Sequence, residues 1–270
     1  MILRAFTAII GRDLKRTLRQ RGRLLSSLVR PLLWLVVIGG GVETLVARDG
    51  TYRDFLVPGL VAMALLFGGM LAALSLVHDK ESGVLRMLLA APLHHGWIVV
   101  ARTLSAAAIA LLQATLLLVV LAVGGWLGAT TDWPLLAAGL VLTALTAATL
   151  GMLVAVWARS LENFAVMMNL IIFPLFFLSG ALYPVHGLPL WLQAVAVANP
   201  FSYGVDLLKH ACGTAPSSGH ASFAPDFSPG LDLLVLGGFI VMGTTIAAWR
   251  FSSPSTIAAL GRLIGSGKAG

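Results

Sequence analysis

His94 and His95 could ligate a metal or exchange a proton, but no acid or cysteine stands near them at ligand spacing, so they read as two polar interface residues. Asp206 and Lys209 share a helix face at i, i+3 and read as a local ion pair rather than an acid–base couple. The tail Gly265-Ser266-Gly267-Lys268-Ala269 has the outline of a phosphate-binding loop. Such a loop needs G-x-x-x-x-G-K followed by Ser or Thr, so that backbone N–H groups cradle phosphate and the hydroxyl binds magnesium. Arg262 stands at the first-glycine position and Ala269 at the hydroxyl position, so ATP is not bound that way. No catalytic residue, metal site or cofactor of this chain is assigned. The stretch whose features agree with one another is DKESGVLRMLLAAPLHH, Asp79 to His95. Asp79, Lys80, Glu81 and Arg86 are polar, Val84, Leu85, Leu88 and Leu89 form i, i+4 pairs on an apolar face, and Pro92 stops the run. The spacing predicts a short amphipathic helix lying along a membrane surface and offering mixed charges and apolar groups to a partner.

The elements that must position this patch are membrane spans. Hydrophobic residues make up 58% of the 270-residue chain and charged residues 11%, against about 25% charged in soluble domains. Six segments reach the roughly 20 apolar residues a span requires. They are Leu24 to Val46, Phe55 to Val77, Trp97 to Leu127, Trp133 to Trp157, Asn163 to Leu182 and Leu231 to Arg250. Their length and lack of alternation favour helices over barrel strands, so the expected fold is an all-α membrane protein. The chain reads as one transmembrane domain: residues 1–23 as an interface helix, 24–250 as a six-span bundle and 251–270 as a cytoplasmic tail. The basic N-terminal segment is too long, and the apolar run behind it too long and interrupted, for a cleaved signal peptide.

Charge sets the orientation. With both ends inside, fifteen Lys and Arg fall on the inner side and only Arg48, Arg53 and Lys209 on the outer side. The patch is therefore expected in the cytoplasm of a cell (inner or plasma) membrane protein. Residues Ile2 to Gln20 place Leu3, Phe6, Ile9, Ile10 and Leu14 opposite Arg12, Lys15, Arg16 and Arg19, which suits a helix resting on anionic membrane lipids. Net charge of +7 without aromatic-interleaved basic patches gives no case for nucleic acid. Pro184 to Ala211 is apolar but broken by Gly187, Pro189 and Pro200, as re-entrant segments are, and residues from Gly213 read as an external loop.

The central polar residues, Gln113, Thr115 and Asn169, carry no charge. An ion-coupled secondary transporter, the alternative reading, would place an acid or His at mid-membrane and often shows repeated halves, and neither is found. An intramembrane enzyme would need paired acids or His at one depth. Gly68-Gly69 reads as a point of close helix approach.

Three ordered stretches then resemble the permease subunits of type-2 ABC exporters. They are FLVPGLVAMALLFGGMLAALSLVHDKESGVLRMLLAAP (55–92), SLENFAVMMNLIIFPLFFLSGALYP (160–184) and LPLWLQAVAVANPFSYGVDLLKH (188–210). The resemblance implies an exporter subunit working as a homodimer with two cytoplasmic ATPase subunits, which would carry ATP and magnesium, and moving substrate by alternating access. It implies that Asp79 to Ala91, including Lys80, Glu81, Gly83, Leu85, Arg86 and Leu88, is the coupling helix that receives the ATPase. Lys80 stands where Arg is more usual in that family. The loop with Arg159 and Glu162 is implied to be a second contact, and Pro184 to Ala211 an external re-entrant hairpin. The pathway is implied between two copies, near Met70, Asn169, Phe173, Phe176 and Phe177. Apolar spans suggest a hydrophobic or amphipathic cargo.

Overall fold

Runs of Leu, Ala and Val this long must satisfy their backbone groups internally in lipid, and a helix does so within each segment. The computed structural model describes residues 2–39, 41, 51–85, 95–127, 131–213 and 225–252, and its described residues are helical with no strand. The helices are α1 (Ile2–Arg19), α2 (Arg21–Trp34), α3 (Thr51–Glu81), α4 (His95–Val123), α5 (Trp133–Trp157), α6 (Leu161–Phe177), α7 (Leu190–Ala198), α8 (Pro200–Ala211) and α9 (Pro229–Ser252). A π-helical turn, Leu35–Gly39, prolongs α2.

Among the described residues, four helical stretches are long and apolar enough to cross a membrane: Phe55–Glu81, Gly96–Val123, Trp133–Trp157 and Pro229–Ser252. They match four of the six expected spans. The other two are shorter apolar helices, Ser27–Ile38 and Leu161–Phe177. The first expected span runs on into residues 42–46, which lie outside the described residues. The fifth stops at Phe177 rather than Leu182, and its 17 residues rise about 26 Å. It stops there because the chain turns at Leu178 to Gly180, where Gly180 takes φ +78°.

α3 is buried along most of its length between α4 and α5. The approach depends on small residues, as the Gly68-Gly69 pair predicts. A Cβ on Gly69 would lie 2.9 Å from the Ala148 nitrogen, and one on Gly151 2.9 Å from the Met70 Cα. In lipid, where oil gains nothing by leaving oil, this close packing is what holds helices together.

At the end of the bundle away from α1, the expected hairpin is two short helices, α7 and α8, broken at Asn199. Asn199 Oδ1 caps α8 by accepting from Phe201 N at 3.0 Å, and its Nδ2 donates to the Leu175 carbonyl at 2.8 Å. Pro200 supplies the first helical position, where its missing N–H costs nothing. α8 is buried, whereas Leu190 and Trp191 of α7 are exposed.

Candidate coupling site

The last turn of α3 carries three consecutive charges, and each is held by different helices. α3 continues through Glu81 and ends as Gly83 takes φ +74°, a conformation glycine adopts without strain. Ser82 closes the turn with its N–H 2.9 Å and its Oγ 2.8 Å from the His78 carbonyl. Asp79, Lys80 and Glu81 are therefore the end of a spanning helix and not the start of a surface helix. This differs from the sequence expectation because Asp79, Lys80 and Glu81 find partners on neighbouring helices and so stay in α3 beyond Val77, and Gly83 is where the backbone can turn. Val84 and Leu85 resume helical geometry, and the rest of the expected surface helix, with Arg86 and Leu88, lies outside the described residues.

Asp79 is buried and accepts from two guanidinium groups. Arg102 of α4 reaches it with Nη2, and Arg12 of α1 with Nη2 at 3.1 Å. Arg102 Nη1 also donates to Asp13 Oδ2 of α1 at 2.7 Å, where Ser105 Oγ adds a bond at 3.0 Å. Arg12 Nε stands 3.4 Å from Asp13 Oδ1. Two carboxylates and two guanidiniums thus balance, tying α1, α3 and α4 together where the Arg102 side chain is wholly buried. A planar guanidinium presents five N–H donors in a rigid fork, so one Arg102 group meets both carboxylates in fixed directions. The Phe6 and Trp97 rings, 5.8 Å apart and edge to face, add an apolar contact between α1 and α4.

Lys80 points elsewhere. Its Nζ donates to the carbonyls of Ala155 at 2.8 Å, Val156 at 3.1 Å and Ala158 at 3.4 Å, the open carbonyl end of α5. These carbonyls lack partners within the helix, and a cation there also meets the negative end of the helix dipole. Glu81 Oε1 accepts from Leu161 N at 2.9 Å, the open N–H end of α6, while Ser160 Oγ accepts from Asn163 N at 3.1 Å. A carboxylate at the positive end of α6 is the complementary arrangement. Beside this cluster, a cavity of about 140 Å³ is lined by Asp13, Thr17, Gly68, Ser75, His78 and Gln113, among others.

The site therefore joins two stretches that the sequence places far apart. Glu81 touches the α5–α6 turn, so Arg159 and Glu162, both exposed, stand beside the end of α3. Leu85 is buried against this chain. The expected pathway residues divide: Met70 is enclosed among α3 and its neighbours, and Phe176 packs edge to face on Trp34 at 6.1 Å. Asn169 and Phe173 are exposed on α6, and Phe177 lies 6.0 Å from Trp34. Asp13 and Arg102 are the functional residues that the sequence reading left out of the site. The available signal was Asp13 itself, an acid in phase with Phe6, Ile9 and Ile10 on the apolar side of a helix whose other charges are basic.

Residues 4–211 match the ABC-2 type transporter family, which takes in α1 from Arg4 through α8 and leaves out α9. Nodulation protein J of Rhizobium leguminosarum bv. trifolii is 33% identical over 193 residues, 69% of this chain and 72% of that protein. Its counterpart in Rhizobium meliloti (strain 1021) is 32% identical over the same shares. The Escherichia coli (strain K12) protein named "Probable multidrug ABC transporter permease YbhR" is 30% identical over 162 residues, 58% of this chain and 43% of that one. With apolar helices long enough to span and a family match over most of its length, the chain belongs to the ABC-2 type transporter family as a multi-pass membrane permease subunit.

Proposed function

We propose that the chain is the permease half of an ATP-driven exporter, a six-span subunit with both ends cytoplasmic in the cell membrane. Two copies enclose a pathway, and two ATPase subunits, which carry ATP and magnesium, dock on the segment after α3. Nucleotide-driven closure of the ATPases draws the two segments together and shifts the bundle between inward and outward access. One observation carries this reading: Asp79, Lys80 and Glu81 attach the end of α3 to α1, α4, α5 and α6 at once. A push on the residues beyond Gly83 is transmitted to five helices rather than absorbed by one. The exposed pair Arg159 and Glu162 beside this point supplies the second, smaller contact. The apolar and aromatic face of α6, with Phe173 exposed, fits a hydrophobic or amphipathic cargo.

The test is reconstitution with the ATPase in lipid vesicles. Glu81→Arg and Arg86→Glu are expected to abolish transport and substrate-stimulated ATP hydrolysis while both variants still insert in the membrane. Unchanged transport and normal co-purification with the ATPase in both variants overturns the proposal. So does transport by the native chain that runs on a proton or sodium gradient without ATP.

A further inference from the structure

At the end of the bundle away from α1, α8 and the first turn of α9 bring Asp206, His210 and Asp232 together. Asp206 and His210 stand one helical turn apart, and one ligand atom from each of the three lies within 4.8 Å of the others. His210 Nε2 is 3.5 Å from Asp206 Oδ2 and 2.9 Å from the Phe227 carbonyl oxygen. Atoms bound to one ion at about 2.0–2.2 Å stand roughly 2.9–3.5 Å from one another, so the His210 spacings to Asp206 and Phe227 already match a coordination sphere, and Asp232 would have to close in from within 4.8 Å.

A second observation stands apart from the clustering. Asp232 is wholly buried, and neither of its carboxylate oxygens has a hydrogen-bond partner among the described residues. A buried carboxylate without a donor or a cation is strongly disfavoured, so a positively charged species belongs beside it. The nearby cation makes no hydrogen bond to Asp232: Lys209 Nζ lies 3.2 Å from Asp226 Oδ2 and 4.7 Å from the centre of the Phe55 ring. Asp226 Oδ1 is itself occupied by His186 Nδ1 at 2.7 Å and the backbone N–H of Val185 at 3.0 Å. Asp206 accepts the backbone N–H groups of Asp226 at 2.6 Å and Phe227 at 3.0 Å, which fixes its carboxylate toward His210. Burial nevertheless raises the Asp206 carboxyl above the usual carboxylate range.

We infer that Asp206, His210 and Asp232, joined by the Phe227 carbonyl, form a binding site for one divalent transition-metal ion of the zinc class. Two carboxylates and a neutral imidazole balance the charge of a dication. One nitrogen with oxygen donors suits zinc, whereas calcium and magnesium take all-oxygen sets. His210 is partly exposed, which gives the ion a way in, and on binding its Nε2 exchanges the Phe227 carbonyl for the metal. The ion would staple the start of α9 to α8, independently of which substrate the permease moves or what drives it.

The test uses the full chain in detergent, purified with an affinity tag free of histidine, stripped with chelator and dialysed against micromolar zinc. One zinc per chain is expected, and cobalt in its place is expected to give the visible absorption of a low-coordinate site. Asp232→Asn, nearly isosteric, and His210→Gln are each expected to lose that equivalent and the cobalt spectrum, whereas a His94→Ala/His95→Ala variant keeps both. Zinc is expected to raise the melting temperature of the native chain and not that of Asp232→Asn. Full zinc loading in both Asp232→Asn and His210→Gln overturns the inference. A native chain that retains no zinc also overturns it, and assigns the buried Asp232 to a protonated carboxyl.

Discussion

Arg102 is the residue on which the α1 end of the molecule depends, since its buried guanidinium is shared by Asp13 and Asp79. Removing one partner from a buried ion cluster leaves the rest uncompensated, at about 3–5 kcal/mol. Arg102→Met is expected to lower the melting temperature in detergent sharply, and Asp13→Asn added to it is expected to recover part of the loss. Equal instability in both would show that the charge balance is not what matters there. Cys212, the chain's single cysteine, makes a second prediction. Burial pushes its thiol up to about 12, so the thiolate is scarce at pH 8. It should resist alkylation in the folded protein at that pH and react once denatured, as mass spectrometry would read directly. At this scale the sequence was only partly legible. Periodicity exposed Asp79, Lys80 and Glu81 as charges out of place, but their partners sit on other helices, and residue spacing does not encode contacts across 67 or 89 positions. The same limit hid the Asp206–His210–Asp232 group, whose third member follows a loop rich in Gly, Pro and Ser.

Among the elements, helix ends matter more than helix middles. Lys80 satisfies carbonyls at the end of α5, and an orphaned buried acceptor costs about 1–3 kcal/mol. Lys80→Met is expected to destabilise the detergent-solubilised chain by about that amount, and Lys80→Arg by less, in thermal denaturation. The helix middles respond to volume instead. Gly69→Val drives a side chain into the Ala147–Ala148 backbone, whereas Gly237→Val on α9 meets nothing within 4 Å. The first is expected to cost about 1–3 kcal/mol or more and the second far less, judged by folded yield in size-exclusion chromatography. Hydropathy made four of the six expected spans readable, because apolar length is a direct demand of the bilayer. It did not make the ends readable. Lipid gives no reason for α3 to stop at Val77, and Gly83 decides that boundary through its backbone conformation.

For the molecule as a whole, apolar side chains are left uncovered on several helices: Leu33 of α2 with Val36 and Val37 in the π-helical turn behind it, Val119 and Val123 of α4, Val166, Leu170 and Phe173 of α6, Leu190 and Trp191 of α7, and Leu234 and Val241 of α9. If the two copies proposed above meet along the uncovered faces of α2 and α6, Phe173→Cys in a Cys212→Ser background should give disulfide-linked dimers in native membranes under mild oxidation. Val241→Cys in the same background should not. Cross-linking at Val241 alone would move the dimer contact to α9.

The three charges at the end of α3 also fix something besides position. Consecutive helical residues point about 100° apart, so Asp79, Lys80 and Glu81 sweep roughly 200° of the helix circumference, and each is pinned on its own bearing. α3 is thereby locked in rotational phase: it can tilt or shift with its neighbours, but it cannot spin about its axis without losing all three anchors at once. One alanine inserted after Val77 would leave every existing side chain in place in the sequence and hardly alter the hydropathy, and still turn each charge away from its partner.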